Sequence, residues 1–313
     1  MATYKGIKGF KIQSLASDPT AEDTVGKIWY NTAGNVLKYS AEGAGAWASG
    51  TATPTPSEYG KCTRTPSSLL LLVDQDTQEW NGSAWSEKAN LTNPRNRGGC
   101  AGTTTAALYF GGSPPSNKYT ESWDGSTWTT VNELNSGKNY FAQTGTQTAA
   151  ISAGGEPQAG ITEIWNGTGW SEEADLNNPR STISGCKNGS TTAFLAFGGY
   201  SAPSVRGYTE EWNGVGWTTV NELTTPRDGV AGAGTTSAAL CGGGSAGPPG
   251  AQIITEQWNG TGWTEVADMA TAGYLGGCAG STTSALVGGR VGATTTVEEW
   301  ADPVYSVQTV TTS

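Results

Sequence analysis

Six segments of this 313-residue chain place two aromatic residues five positions apart: TQEWNGSAW, TESWDGSTW, TEIWNGTGW, TEEWNGVGW, TEQWNGTGW and VEEWADPVY. The pairs are Trp80/Trp85, Trp123/Trp128, Trp165/Trp170, Trp212/Trp217, Trp258/Trp263 and Trp300/Tyr305, and their first members recur every 42 to 47 residues. That period fits one four-stranded sheet per repeat and is too long for a leucine-rich repeat. Between the Trp residues of the first five pairs stands Asn-Gly or Asp-Gly, which predicts a tight antiparallel hairpin with a type I′ turn. Upstream of the Trp123 copy, 97–102 reads as a strand of small residues and 106–112 as a second strand ending in Gly-Gly. The Trp-bearing strands are expected at 119–124 and 127–133.

The 46 Gly residues and the Thr/Ser/Ala runs would by themselves indicate low complexity, but 13 Trp residues supply apolar mass that a disordered chain lacks. A net charge of −10 argues against a nucleic-acid partner, which requires cations along the phosphate backbone. The longest strongly apolar run, Leu69 to Val73, is far too short for a membrane span, and 1–10 lacks the apolar core of an export signal. A soluble protein without membrane insertion is expected.

Cys62, Cys100 and Cys278 each follow an aligned Trp by 15 residues and Cys186 by 16, so they read as copies of one position. Gln143 and Gly232 or Ala233 fill it elsewhere. Small core residues, not a disulfide framework or a metal site, are expected there.

Gly-Gly recurs at Gly111/Gly112, Gly154/Gly155, Gly198/Gly199, Gly242/Gly243 and Gly288/Gly289, while the first repeat has Val73-Asp74. Glycine there is expected to let neighbouring sheets approach near the axis. A strand ending in Gly-Gly, an aromatic, a Trp and a Pro-Arg turn (Pro94-Arg95, Pro179-Arg180, Pro226-Arg227) together resemble the kelch family over about Trp47 to Tyr305. The resemblance implies an all-β fold, a six-bladed kelch-like β-propeller at 51–313, and is nearly silent on activity. Six blades fit if Val304 to Val310 forms the last outer strand. The alternatives use Trp47 in an outer strand, or add the N-terminal strands as a partial seventh blade.

Residues 1–50 read as an arm: a hairpin over Gly26-Lys-Ile-Trp-Tyr-Asn-Thr and Val36-Leu-Lys-Tyr39, then a strand at Gly45-Ala-Trp47. The "IWYNT…LKY…GAW" element resembles hairpins of bacteriophage tail-fibre and other virion proteins. This implies a non-enzymatic virion structural protein (fibre, tail or capsid-decoration component), attached to other virion proteins through 1–50, present in multiple copies or as a homo-oligomer, and binding a host-surface glycan or protein. The second reading is a bacterial kelch-type protein- or glycan-binding module of the cytoplasm or cell surface.

The chain has no His, which removes Ser-His-Asp and Cys-His catalysis and the commonest transition-metal ligand. No catalytic residue, cofactor or metal is expected. Paired carboxylates are the remaining enzymatic option, with a polysaccharide hydrolase as the remote alternative, but Glu121, Glu163, Glu210, Glu256 and Glu298 repeat one position and so read as structural; a hydrolase would need two carboxylates in non-repeated loops. Sequons at Asn81, Asn166 and Asn259 are explained by the hairpin turns. Recognition is expected where the repeat breaks, in the uneven loops 113–118, 156–160, 200–207, 244–251 and 290–294. The candidate ligand-binding residues on that face are Tyr119, Tyr200, Arg206, Tyr208, Tyr274 and Arg290, a surface suited to stacking on sugars or anchoring a protein. Arg95, Arg97, Arg180 and Arg227 lie beside it, with the Pro-Arg arginines read first as kelch turns bonding to loop carbonyls.

Overall fold

A computed structural model describes residues 12–21, 26–56, 58–114, 117–157, 160–247, 250–291, 295–302 and 304–310. The described residues are all-β and divide into two units. One comprises Met1–Ala46 with Asp302–Ser313, the other Trp47–Ala301.

In the first unit, β1 (Gln13–Leu15), β2 (Ile28–Asn31), β3 (Val36–Gly43) and β30 (Val304–Thr309) form one sheet in that order. β1 runs parallel to β2, and the other pairings are antiparallel. Trp29 is buried, with its Nε1 donating to Asp18 Oδ1 at 3.1 Å, and Asn31 donates to the same oxygen at 2.6 Å.

The second unit contains six four-stranded antiparallel sheets among the described residues. The first is β5 (Lys61–Cys62), β6 (Leu69–Val73), β7 (Asp76–Trp80) and β8 (Trp85–Glu87). The second is β9 (Gly99–Gly102), β10 (Ala107–Phe110), β11 (Thr120–Trp123) and β12 (Trp128–Val131). The third is β13 (Ala142–Gly145), β14 (Ala150–Ala153), β15 (Thr162–Trp165) and β16 (Trp170–Glu172). In the fourth, a hairpin of β19 (Tyr200–Ser201) and β20 (Ser204–Val205) interrupts the order β17 (Ser184–Gly185), β18 (Phe194–Phe197), β21 (Thr209–Trp212), β22 (Trp217–Val220). The fifth is β23 (Ala231–Gly234), β24 (Ala239–Gly242), β25 (Thr255–Trp258) and β26 (Trp263–Val266). The sixth is β27 (Gly277–Gly280), β28 (Ser284–Gly288), β29 (Glu298–Ala301) and β4 (Ala46–Ser49). These sheets fit a β-propeller.

The sixth sheet corrects the expected closure. Its outer strand is β4, not Val304 to Val310, and Trp300 has an aromatic partner in Trp47 at 5.5 Å between ring centroids. The reason is local: 301–304 is Ala-Asp-Pro-Val, without the Gly that takes positive φ in the other five turns. β30 instead pairs with β3 over six residues, placing Tyr305 opposite Glu42. The expected boundary at 50/51 accordingly moves to 46/47, and 302–313 leaves the repeat unit.

Side-chain size falls from the outside of each sheet inward. The leading strands read GCAG, AQTG or AGAG, fully buried, because several of them converge and leave room for little more than a methyl group. Each leading strand neighbours the next, and β27 neighbours β5. The second strands (ALYF, AISA, FLAF) carry the apolar bulk, and the outermost strands turn only their Trp inward.

The two Trp residues of a pair do different work. The first donates within its own sheet, as Trp123 Nε1 does to the Thr104 carbonyl at 2.8 Å and Trp212 to that of Thr191 at 2.9 Å. The second reaches back to the preceding sheet. Trp128 donates to Thr77 Oγ1, Trp170 to Thr120, Trp217 to Thr162, Trp263 to Thr209 and Trp47 to Thr255, all at 2.9 to 3.0 Å. Trp85 donates at 2.9 Å to the carbonyl of Thr51, which follows β4.

The turn between paired Trp residues differs from the expected type I′. Positive φ falls on the Gly alone, for instance +98° at Gly125, while Asp124 precedes it and its Oδ1 accepts from the backbone N–H of Ser126 and Thr127 at 2.8 Å each. These bonds hold the Asp124 carboxyl down at about 2. Asn81, Asn166 and Asn259 occupy the same Asx-turn position. The Gly-Gly pair also works differently from expectation. It ends the second strand, has φ of +65° and +114° at Gly111 and Gly112, and a Cβ on Gly111 would stand 2.7 Å from the carbonyl of Lys138 in the connection to the next sheet. Close approach is real, but the neighbour is a connecting loop.

Candidate functional site

The repeated glutamates lie within the fold. Each accepts two backbone N–H bonds from the connection entering its own sheet: Glu121 from Thr92 and Asn93, Glu163 from Asn135 and Ser136, Glu210 from Asn177 and Asn178, Glu256 from Thr224 and Thr225, Glu298 from Ala270 and Thr271. Each also pairs with a buried cation, respectively Arg95, Lys138, Arg180, Arg227 and Arg290. The Pro-Arg arginines bond to carbonyls as well, Arg95 Nε to Gly111 at 2.9 Å and Arg180 Nε to Gly198 at 2.8 Å. In the first sheet an uncharged pair, Gln78 and Thr55, takes the place of the ion pair.

This arrangement corrects one candidate. Arg290 is fully buried and its Nη2 lies 2.7 Å from Glu298 Oε1, so it offers nothing to a ligand. The connection entering the sixth sheet, Met269-Ala-Thr-Ala, has no basic residue, and Arg290 supplies the missing cation from the far end of β28.

Tyr119 and Tyr208 occupy one repeated position, their rings 5.9 and 5.8 Å from the guanidinium carbons of Arg95 and Arg180. Tyr119 is 40% exposed and Tyr208 half-buried. Tyr200 stands on the β19–β20 hairpin, 38% exposed, and Arg206 leaves that hairpin with its guanidinium 5.9 Å from the Tyr208 ring. Tyr274 lies elsewhere, immediately before the sixth leading strand's entry residue, Leu275.

That entry position repeats six times. Tyr59, Arg97, Tyr140, Thr182, Gly229 and Leu275 each stand three residues before one register position of a leading strand, and all six have φ between +54° and +61°. Left-handed backbone costs a non-glycine residue about 1–2 kcal/mol, and such conformations cluster at functional sites. Backbone bonds link successive members: Tyr140 N–H to the Arg97 carbonyl at 3.0 Å, Gly229 to Thr182 at 2.9 Å, Leu275 to Gly229 at 2.6 Å. Arg97 is sandwiched between two rings, its guanidinium carbon 4.4 Å from the centroid of Tyr59 and 5.1 Å from that of Tyr140. Tyr274 is close enough to influence the Tyr140 hydroxyl electrostatically.

Below these residues lies a cavity lined by Tyr140, Thr182, Leu275, Gln143, Lys61 and Lys187, among others. Both lysines break the repeat. Register places Cys62, Cys100, Gln143, Gly185, Gly232 and Cys278 at one position, opposite the second-strand residues that face the glutamates or Gln78. Lys61 precedes it where the other sheets have Gly, Ala or Ser. The expected equivalence of Cys186 is therefore off by one, since Gly185 holds that place. Cys186, Lys187 and Asn188 fill a stretch where the second sheet has only Ala101, an excursion of two extra residues. The excursion reaches across the leading strands: Asn188 N–H donates to Gly234 at 2.8 Å, Asn188 Nδ2 to Gly280 at 2.8 Å, and Thr144 Oγ1 to the Lys187 carbonyl at 2.8 Å. It closes one side of the cavity and carries Lys187 into it.

The five Cys residues are buried and unbridged. Burial pushes the thiols of Cys62, Cys100 and Cys186 up to about 12 and that of Cys278 higher still, so they are neutral beside the lysines. Lys61 is pushed down to about 7 by desolvation, with the charge of Lys187 acting in the same direction. Lys187 is lowered as well, again by burial. With the Gln143 amide oriented to donate to the Phe141 carbonyl at 3.2 Å, its oxygen accepts from Lys187 Nζ.

Sequence reasoning named Tyr274 and Arg97 but missed Tyr59, Tyr140, Lys61 and Lys187. The signal available was the excess of residues in the fourth repeat, "GCKNGS" against "GCAGT", and a lysine where other repeats place small residues.

Among the described residues no three His, Cys, Asp or Glu side chains are grouped so that they could hold a metal ion, and no helix is long and apolar enough to cross a membrane. No family model matches the chain, and no curated protein does. Solved structures do match. One, described as "Structure of YjhT", has a TM-score of 0.65 and 13% identity over 82% of this chain and 99% of that one, a likeness in fold alone.

Proposed function

We propose that the Trp47–Ala301 unit is a six-bladed kelch-like β-propeller acting as a non-enzymatic binding module. β4 closes the ring in this reading. The contact of β27 with β5, and the series of second-Trp bonds that runs through Trp47 and Trp85, support the closure. The observation that carries the binding role is the set of six left-handed entry residues, of which Tyr140, Thr182, Gly229 and Leu275 line the cavity, with Arg97 held between Tyr59 and Tyr140. A structure with no further task for that position would place glycine at all six sites, as it does only at Gly229. Tyrosine and arginine on rigid backbone suit a host-surface glycan or protein, stacked or anchored there.

The setting we propose is a phage virion, with the β1–β2–β3–β30 sheet as the attachment element and several copies per particle. Support comes from the resemblance of the Ile28–Trp47 stretch to virion hairpins. Mass spectrometry of intact particles tests this: the protein is expected in them at stoichiometric copy number, and its absence rejects the setting. Binding to a glycan array and to host cells tests the site. Arg97→Ala and Tyr140→Ala are expected to abolish capture, and Tyr200→Ala to weaken it. Capture unchanged in all three moves recognition off this face.

A further inference from the structure

Among the described residues, five fully buried cations have a glutamate partner, while Lys187, buried as they are, and the half-buried Lys61 show none. A buried ammonium without a counter-charge either loses its proton or acquires an anion. The protein offers no anion here, because the thiols that surround Lys187, those of Cys62, Cys100, Cys186 and Cys278, are neutral. It does offer space, since the cavity between the lysines and the entry residues holds about one water-sized guest. That room is too small for a sugar ring and right for a halide. Both lysines also arise from departures in the repeat: Lys61 replaces a small residue, and Lys187 rides on a two-residue excursion held by three hydrogen bonds.

We infer that this cavity is a binding site for one small inorganic anion, held by the ammonium groups of Lys61 and Lys187. The site goes beyond the recognition reading and does not depend on what the entry residues bind. Gln143, which accepts from Lys187, fixes that ammonium, and the hydroxyl of Ser184 on the cavity wall is a further donor. The anion ties the fourth sheet to the first through the two lysines, so its occupancy stabilises the unit.

Bromide is the probe. The full chain, crystallised from sodium bromide with data collected at the bromine absorption edge, is expected to show an anomalous peak within the cavity against both lysine Nζ atoms. In solution, replacing sodium gluconate by sodium bromide at constant ionic strength is expected to raise Tm, increasingly with the logarithm of bromide concentration. Lys61→Met and Lys187→Met, which keep chain length while removing charge, are expected to lose most of that rise. Bromide peaks elsewhere with none in the cavity would overturn the inference, as would an equal rise in Tm in wild type and both variants. If Lys187→Met fails to fold, the Lys61→Met comparison and the anomalous map decide.

Discussion

Five cations in the Trp47–Ala301 unit, Arg95, Lys138, Arg180, Arg227 and Arg290, are buried against glutamates on third strands, whereas Lys61 and Lys187 share a cavity with neutral thiols and no acid. The first group repeats, and each member closes a set of bonds: carboxylate to cation, carboxylate to two backbone N–H groups, cation to carbonyls. The second group does not repeat and leaves its charge uncompensated. The difference teaches how to separate scaffold from site in a repeat protein. A buried charge that recurs with its partner belongs to the scaffold, and one that occurs once without a partner is available to a ligand.

Breaking a pair at the periphery has the largest expected effect. Glu210→Ala leaves Arg180 buried without its counter-charge and removes the acceptor of the Asn177 and Asn178 N–H groups. A loss of about 3–5 kcal/mol in urea denaturation is expected. Next come the bonds between sheets. Thr162→Val strands the Nε1 of Trp217, and a loss of about 1–3 kcal/mol is expected for an unsatisfied buried donor.

The cavity shows its character through pH. In gluconate buffer, folded Lys61, pushed down to about 7 from 10.5, has released a proton that the unfolded chain still holds. Stability therefore rises with pH from 7 to 7.5, where unfolded thiols, with a pKa of about 8.5, are still about nine-tenths protonated. The groups facing Lys61 are Lys187, whose shift has the same sign, and Cys62, which stays protonated throughout. Lys61→Met is expected to flatten the rise, and an unchanged pH profile would show Lys61 to be solvated. The smallest effect belongs to Tyr200→Ala on the β19–β20 hairpin, expected within about 0.5 kcal/mol of wild type.

How much of this was legible depended on sequence separation. The Trp spacing gave the hairpins, the period gave the four-stranded sheets, and the repetition of Glu121 and its copies marked them as structural before their partners were known. The outer strand of the sixth sheet was misassigned because β4 lies some 250 residues from β29, while Tyr305 imitates the local spacing of the other pairs. Arg290 looked like a loop cation because its glutamate partnership exists only in three dimensions. Cys186 concealed the excursion, since aligning cysteine with cysteine hides one of the two extra residues. Backbone conformation at Tyr59, Arg97 and Tyr140 leaves no mark in side-chain type, so the entry position went unrecognised even though Arg97 was named for its charge.

The contrast between paired and unpaired charge is tested most directly by urea denaturation of Glu210→Ala and Lys187→Met side by side, in gluconate buffer at pH 7. Glu210→Ala is expected to lose several kcal/mol. Lys187→Met is expected to match or exceed wild type, because it removes a buried ammonium that has no counter-charge and keeps its aliphatic length. Equal destabilisation of both variants would contradict the account, showing that Lys187 is as much part of the scaffold as Arg180.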